Sequence, residues 1–239
     1  MVKGRISSEE SMGLVDGPGI RYVVFLQGCH LRCKYCHNPE TWDMMGESYF
    51  TTAKKLVDKI EKYKSYFGLD GGVTFSGGEP LLQPEFLLES LKECKVRGLN
   101  TALDTAGVGF GNYEEILKFC DLVILDIKAV KEEDYKELTG QKMDRFKEFL
   151  AACQKNGKKL WLRQVIVPGM NDTEENIENL ANFIKTIKNV EKVELLPYKT
   201  MGEVKYKKLG LKYRLAGLCE MNETECKRLE KLLITKLGE

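Results

Sequence analysis

Short apolar runs that favour β-strands alternate with amphipathic helical segments along most of this chain. Strands are predicted at 20–27, 72–75, 99–103, 122–127, 160–167 and 193–196. Helices are predicted over 84–97, 113–119, 132–156 and 174–188, and the last of these is capped by Asn171 or Asp172. A further helix is predicted to begin after a cap at Thr51 or Thr52, and the last helix after a capping box of Asn222 and Glu225. This alternation is typical of parallel strands joined by helical crossovers, so the predicted class is α/β.

Six strands are too few for a closed eight-stranded barrel, and a doubly wound open sheet is the simplest alternative. The polar residues that follow successive predicted strands are Cys29, Gly77 to Glu79, Asp104, Asp126 with Lys128, and Pro197 with Tyr198. A doubly wound sheet would concentrate its site at one switch point. Chemistry at the carboxyl ends of successive strands instead favours a partial barrel.

Composition excludes several classes of protein. The chain has 239 residues and a formal net charge of +1, so its charge does not indicate a nucleic-acid binder. Residues 1–10 lack the apolar core of a signal peptide, and no apolar run is long enough for a membrane span. Eight cysteines without a secretion signal favour a reducing compartment and metal chemistry. Because no linker divides the chain, we predict one domain over 1–239, cytoplasmic, with no nucleic-acid or membrane partner.

The chemistry centres on Cys29, Cys33 and Cys36, which have Cys-x3-Cys-x2-Cys spacing within eight residues. Cysteine thiolates hold iron–sulfur clusters, and a cubane usually takes four of them. Three thiolates in one loop, with no obvious fourth beside them, favour a cubane with one iron open to a substrate.

Three other readings of this loop remain open at the sequence level. The segment from Cys33 to His37 also fits a haem-attachment pattern, although such proteins are normally exported. Cys33 and Cys36 could form a dithiol redox pair, but that would leave Cys29 without a role. A structural zinc site is the third reading, and it would normally need a fourth ligand.

The three-cysteine loop, with an aromatic residue at Tyr35, resembles the signature of the radical S-adenosylmethionine (SAM) enzymes. The resemblance implies that the open iron of a [4Fe-4S] cluster chelates the amino and carboxylate groups of SAM. It also implies a partial, six-unit (β/α) barrel of parallel strands and outer helices, with the cluster loop after the first strand. The six predicted strands agree with that fold.

The turn from Ser76 to Pro80 is the second motif. Gly77 and Gly78 permit a tight turn and let the backbone approach a ligand, although such turns are common and Glu79 could simply be solvated. In the family that the chain resembles, a Gly-Gly-Glu motif at this place binds the amino group of the methionine moiety.

The remaining polar candidates lie on or beside other strands. Alternation along the fourth predicted strand directs Asp126 and Lys128 into the lumen, where a mutual ion pair is the plain structural alternative. Asp104 adds a carboxylate at the neighbouring strand end. Arg163 lies between apolar residues and either balances these carboxylates or grips a substrate. Cys94, Cys120, Cys153, Cys219 and Cys226 are predicted to have no chemical role.

The resemblance extends almost from end to end toward the activases of glycyl-radical enzymes. The matching pieces include 4–6, 15–21, 27–38, 41–42, 77–79, 104–105, 125–126, 167–169 and 195–198. Many such activases carry a cysteine-rich insert after the cluster loop, but no cysteine lies between Cys36 and Gly77. That absence favours the type that acts on pyruvate formate-lyase. Lys199 is a departure, because the family often has a histidine there that reaches SAM.

The reaction implied by the resemblance is reductive cleavage of SAM to methionine and a 5′-deoxyadenosyl radical. That radical would remove hydrogen from a glycine of the partner, pyruvate formate-lyase, and flavodoxin or ferredoxin would supply the electron to a monomeric enzyme. An activase of another glycyl-radical enzyme, a radical enzyme acting on a small molecule, and an iron–sulfur electron carrier are the alternatives. A zinc-stabilised binding module is a further one.

The resemblance also assigns the site residues. Cys29, Cys33 and Cys36 would hold the cluster, and Asp104 and Asp126 a monovalent cation, Na+ or K+. Asp16 and Arg163 would grip the glycine-bearing loop. The residues assigned to the SAM site are Tyr35, His37, Gly77, Gly78, Glu79, Asp104, Asp126, Ile127, Lys128 and Lys199.

Overall fold

The computed structural model describes residues 2–238, which form one eight-stranded sheet surrounded by helices. The strands are β1 (Lys3–Gly13), β2 (Arg21–Leu26), β3 (Tyr49–Thr52), β4 (Gly72–Gly77), β5 (Thr101–Thr105), β6 (Leu122–Asp126), β7 (Lys159–Ile166) and β8 (Val190–Pro197). Their order across the sheet is β3-β1-β2-β4-β5-β6-β7-β8. The sheet has two ends, β3 and β8, so the barrel is open.

Six consecutive strands, β2 and β4 to β8, pair in parallel. They are the six strands predicted from the apolar runs, and the partial (β/α) barrel expected from the resemblance is confirmed. The carboxyl ends of these strands therefore meet at one rim of the barrel. The loop that carries Cys29, Cys33 and Cys36, called the cluster loop below, begins at that rim, directly after β2.

The helices that cover the barrel are α1 (Ala53–Ile60), α2 (Pro84–Val96), α3 (Tyr113–Lys118), α4 (Glu132–Thr139), α5 (Asp144–Lys155), α6 (Glu174–Ile184), α7 (Glu203–Lys208) and α8 (Glu223–Leu237). Thr52 caps α1 and Asn222 caps α8, as predicted, each accepting a hydrogen bond from a backbone N–H three residues on. The predicted cap of α6 is wrong, since Thr173 accepts the bond from Asn176. Asn171 and Asp172 instead bond backbone groups of the preceding turn.

Alternation along the strands divides the core into two layers. Val123, Leu125 and Ile127 pack outward into the large core shared with the helices. Ile124 faces inward and packs with Ala102, Leu122 and the half-buried Trp161 in a small lumen cluster. The lower lumen is thus filled by apolar side chains, and polar groups lie above it.

Three elements, β1, β3 and α7, were not predicted from the sequence, and one predicted helix is divided into two. β1 pairs antiparallel with both β2 and β3 and so adds a two-stranded antiparallel edge to the parallel sheet. Its sequence is mostly polar, and its exposure alternates because only one face packs on the barrel. The predicted helix over 132–156 is two helices, which separate at Gly140, where α4 ends with a left-handed residue. α7 lies within the lysine-rich connector after β8.

Across residues 2–238 the model contains no helix with the length and apolar character needed to cross a membrane.

Candidate active site at the carboxyl ends of the parallel strands

The cluster loop is fixed in place by backbone hydrogen bonds to two other segments. The N–H groups of Gly28 and Cys29 donate to the carbonyls of Thr41 and Trp42, at 2.8 and 3.3 Å. The N–H of Arg32 donates to the carbonyl of Thr139 at the end of α4, at 2.7 Å. This loop is therefore a fixed part of the barrel rim.

All three thiols of this loop face one cavity, and burial raises their pKa values. Cys29 and Cys33 are buried and Cys36 is half-buried. Burial raises the pKa of Cys33 to about 11, although the ammonium of Lys128 opposes this effect. Burial also raises the pKa of Cys29 and of Cys36. As free groups these thiols stay protonated, and a positively charged occupant would be needed to favour the thiolates.

The cavity beside the cysteines has a volume of about 260 Å³. It collects ten of the predicted site residues, from the cluster loop and from the ends of β4, β5 and β6. They are Cys29, Cys33, Tyr35, Cys36, His37, Gly77, Gly78, Asp104, Asp126 and Lys128.

The two glycines after β4 bring backbone into contact with the cluster loop. Gly77 has a φ of +113°, a conformation that residues with a side chain rarely adopt. A Cβ on Gly78 would lie 2.2 Å from the carbonyl oxygen of Gly28 and 3.1 Å from that of Thr41. Both positions thus require glycine, and the backbone of this turn lines the cavity next to the cysteines.

The carboxylate of Glu79 does not line the cavity. It is buried and accepts hydrogen bonds from the hydroxyl of Thr105 at 2.5 Å and from the N–H groups of Leu81 and Ala106 at 3.1 and 3.0 Å. Val108 donates a longer bond of 3.4 Å. Burial raises the pKa of Glu79, and these four donors oppose that rise. The side chain joins the Gly-Gly turn to the loop after β5, and its predicted contact with SAM stays a prediction.

Asp104 lies at the end of β5 and accepts a hydrogen bond from the hydroxyl of Ser76 at 2.8 Å. Burial and the neighbouring charge of Asp126 raise the pKa of Asp104 to about 7. The guanidinium of Arg163 opposes this rise. A carboxylate held in this state has strong affinity for a proton or a cation.

Asp126 and Lys128 form the predicted ion pair, with the ammonium 2.6 Å from the carboxylate. The same ammonium lies 5.6 Å from the centroid of the Tyr35 ring, within the range of a cation–π contact. Burial lowers the pKa of Lys128, but the charge of Asp126 outweighs this effect and keeps that pKa well above its ordinary value. The pair faces the cavity, so pairing does not exclude contact with a ligand. Ile127 packs outward and does not line the cavity.

His37 and Lys199 meet through the backbone. The His37 ring donates from Nε2 to the carbonyl of Lys199 at 3.0 Å. The Lys199 ammonium points away, to Glu223 at 2.7 Å. Its predicted contact with SAM stays a prediction, and the structure gives that side chain a partner on the surface.

Asp16 and Arg163 lie near each other below the cavity and do not line it. Arg163 donates to Glu194 at 2.7 Å and to the carbonyl of Val15 at 2.6 Å. Burial raises the pKa of the half-buried Asp16, which the charge of Arg163 opposes. The segment 14–20 therefore packs against the lower lumen and separates it from solvent.

A family model described as the radical SAM superfamily matches residues 23–184. This chain belongs to the radical SAM superfamily. It is 59% identical over 234 residues to the pyruvate formate-lyase-activating enzyme of Clostridium pasteurianum, with 98% of each chain covered. It is 40% identical over 250 residues to the enzyme of the same name from Streptococcus mutans, covering 100% of this chain and 94% of that one. These relatives place it in the family of pyruvate formate-lyase-activating enzymes.

A solved structure supports the fold independently. A domain of the pyruvate-formate lyase-activating enzyme from Bacteroides vulgatus superposes with a TM-score of 0.57 at 24% identity, covering 70% of this chain and 94% of that one. At this identity the likeness concerns the fold alone.

The residues present fit the [4Fe-4S] cluster that radical SAM proteins bind. Each thiolate of a cubane binds a different iron, so the thiolates need not converge on one point. Within residues 2–238, no three His, Cys, Asp or Glu side chains are grouped closely enough to hold a single metal ion. The three thiols and the Gly77–Gly78 backbone line one cavity, which leaves room for a small ligand next to the cysteines.

Several residues of this radical SAM site were not predicted as ligands. Asn38, Thr41, Trp42, Val165 and Leu196 also line the cavity. Their side chains reach it from the cluster loop and from the ends of β7 and β8. All of them except Val165 lie in segments that carried the resemblance, but none was assigned a role in the site. Among the other cysteines, Cys94, Cys120, Cys153 and Cys226 are buried and Cys219 is exposed.

Proposed function

We propose that this protein activates pyruvate formate-lyase by forming a glycyl radical on it. The observation that carries the proposal is the meeting of three thiols and the Gly77–Gly78 backbone in one cavity at the rim. Membership in the family of pyruvate formate-lyase-activating enzymes supports the choice of partner.

When bound, the cluster and SAM would supply the radical chemistry, namely one-electron cleavage of SAM and removal of a hydrogen atom from the glycine of the partner. Cys29, Cys33 and Cys36 would hold the cluster. The backbone of Gly77 and Gly78 would receive the methionyl end of SAM. Asp104, beside this backbone, offers an oxygen ligand for Na+ or K+, and Asp126 lies next to it.

The chain's own residues orient the reactants and keep water out. Val165 and Leu196 present apolar surface to the cavity, and the lumen cluster closes it from below. The ion pair of Asp126 and Lys128 fixes two charges at the wall, so their positions are set before a ligand enters.

We propose that Asp16 and Arg163 contact the glycine-bearing segment of the lyase. The bond from the Arg163 guanidinium to the Val15 carbonyl supports this role, because it is a contact of the same kind with backbone. Asp16 offers a half-buried acceptor for a peptide N–H. Flavodoxin or ferredoxin is the proposed electron donor, and the enzyme is proposed to act as a cytoplasmic monomer.

The test is cleavage of SAM by the anaerobically reconstituted protein reduced with dithionite. We expect 5′-deoxyadenosine, and we expect Cys→Ala at Cys29, Cys33 or Cys36 to abolish both it and the iron content. The matched control is Cys219→Ala, because this cysteine is exposed and outside the loop. A protein that carries a reducible cluster but forms no 5′-deoxyadenosine would overturn the proposal and leave an electron carrier.

A further inference from the structure

The connector after β8 concentrates positive charge. Residues 199–214 contain six basic side chains and one acidic one, whereas the whole chain has a net charge of only +1. Lys199 and Lys205 are paired with carboxylates of Glu223 and Glu40. The other four are Lys207, Lys208, Lys212 and Arg214, all exposed. In the part of the chain that the structure describes, no carboxylate lies within 4.0 Å of their charged ends.

The same connector packs directly on the segment that follows the last cysteine. A Cβ on Gly202 would lie 2.8 Å from the carbonyl oxygen of Cys36, so the start of α7 touches a cluster-ligand residue. The Lys205 ammonium donates to Asn38 at 2.8 Å. The rings of Trp42 and Tyr206 meet edge to face, with centroids 5.5 Å apart. This concentration of positive charge therefore lies next to the cluster loop.

The outer surface of the connector is also apolar. Met201, Val204, Leu209 and Leu211 are 72%, 61%, 47% and 41% exposed. On α7, Val204 shares a face with Lys207 and Lys208, three and four residues later, while Tyr206 is buried on the opposite side. We call these eight side chains the basic face: Met201, Val204, Lys207, Lys208, Leu209, Leu211, Lys212 and Arg214. Apolar groups ringed by unpaired charges of one sign are typical of a surface for transient association.

We propose that the basic face docks an acidic flavodoxin, the one-electron carrier that reduces the cluster. This inference rests on the proposed function, which requires one electron from outside for each turnover. In the docked pair the carrier loses one electron and the cluster gains one, with no other group consumed. Positive charge steers an acidic partner during encounter, and a site beside Cys36 keeps the transfer distance short.

The lyase is the other macromolecule that must bind, and the structure favours a different place for it. Asp16 lies in the segment before β2, which Arg163 of β7 contacts through the Val15 carbonyl, whereas the connector packs on the segment after Cys36. Separate faces would let the carrier reduce the cluster without competing with the lyase.

The test compares charge reversals on two exposed, unpaired lysine pairs. Lys207→Glu/Lys212→Glu alters the basic face. Lys62→Glu/Lys188→Glu is the matched control, since both lysines are exposed and precede β4 and β8 at the amino end of the barrel. For each holoenzyme, the Kd of oxidised flavodoxin is measured by calorimetry, and cluster reduction by flavodoxin hydroquinone is followed by anaerobic stopped-flow. Both are measured at low and high salt.

We expect the Lys207/Lys212 variant to raise Kd and slow reduction by at least about tenfold at low salt, with a smaller difference at high salt. The control should stay within about twofold of the wild type, and dithionite should reduce all three proteins equally. Unchanged flavodoxin binding, an equal loss in the control, or weakened lyase binding with intact flavodoxin binding would overturn the proposal. Failure of the proposed function would appear separately, as no 5′-deoxyadenosine from the dithionite-reduced wild type.

Discussion

The hydroxyl of Thr105 donates a hydrogen bond of 2.5 Å to the buried carboxylate of Glu79, joining the ends of neighbouring strands β4 and β5. The same carboxylate bonds backbone N–H groups on both sides. The Gly-Gly turn that lines the cavity is therefore positioned by a side chain that does not itself line it.

Replacing Glu79 by glutamine should destabilise the protein. The amide NH2 of glutamine cannot accept the bonds that one carboxylate oxygen accepts, so buried donors lose their partner. We expect the free energy of unfolding to fall by about 2–3 kcal/mol, measured by urea denaturation of the apoprotein. Glu148→Gln, in the exposed part of α5, is the control and should change it by less than about 0.5 kcal/mol. Equal stability of both variants would show that the Glu79 bonds contribute nothing.

Gly78→Ala should displace the cluster loop. The new Cβ would collide with two backbone carbonyls, and backbone cannot move aside as a flexible side chain can. We expect iron bound after reconstitution to fall by more than half. Gly169→Ala is the comparison, because Gly169 has a φ of +71° but open space around it. That variant should lose about 1 kcal/mol of stability and retain its iron. Full iron content in Gly78→Ala would contradict the close packing of turn and loop.

Asp104 should give the apoprotein a characteristic pH dependence. Its pKa is raised from 3.8 to about 7. Between these values the folded protein holds a proton that the unfolded chain has released, so stability falls as pH rises through this window. Asp104→Asn removes the free-energy cost of burying an ionised carboxylate. The variant should therefore gain free energy of unfolding relative to the wild type, from near zero at pH 4 to on the order of 2–4 kcal/mol at pH 8.

Thermal unfolding at several pH values, without added metal, measures this difference. Asp70→Asn is a suitable control, since Asp70 is exposed and its carboxylate has no hydrogen-bond partner among the described residues. A difference between Asp104→Asn and wild type that stays constant from pH 4 to pH 8 would exclude a raised pKa.

Arg21, the first residue of β2, should be required for the stability of the amino end of the barrel, a role that the sequence did not reveal. Its fully buried guanidinium donates to Thr74 at 2.6 Å and to the carbonyl of Val73 at 2.8 Å. It also donates to Asn100 and to the carbonyls of Pro18 and Asp70. A lysine has three donors and no planar fork, so Arg21→Lys should cost about 2–4 kcal/mol. Arg228→Lys, on the surface, should cost less than about 1 kcal/mol in the same denaturation assay.

The parts of the fold that sequence patterns predicted are those that local rules determine. The strand from Val123 to Ile127 shows its alternation directly, and Asn222 shows its capping box. β1 was missed because its sequence is mostly polar, and its antiparallel pairing with β2 leaves no apolar run that would predict a strand. The helix α7 was missed because its one buried residue, Tyr206, lies among lysines.

The site was predictable where one short motif carries the chemistry, and not where distant residues decide a role. The cysteines were singled out by their spacing, and the two glycines by their place after a strand together with the family resemblance. The contacts of Glu79 with Thr105, of Lys199 with Glu223, and of Arg163 with Glu194 join residues far apart in sequence. No pattern in the chain shows such pairings, so only the folded structure assigns those side chains their partners.

The glycyl radical itself provides the most direct test. Anaerobically reconstituted, reduced protein is mixed with SAM and pyruvate formate-lyase, and the electron paramagnetic resonance spectrum is recorded while 5′-deoxyadenosine is quantified. We predict a glycyl radical signal on the lyase with an equivalent amount of 5′-deoxyadenosine, and neither product with Cys33→Ala. If 5′-deoxyadenosine forms without a glycyl radical, pyruvate formate-lyase is not the partner of this protein.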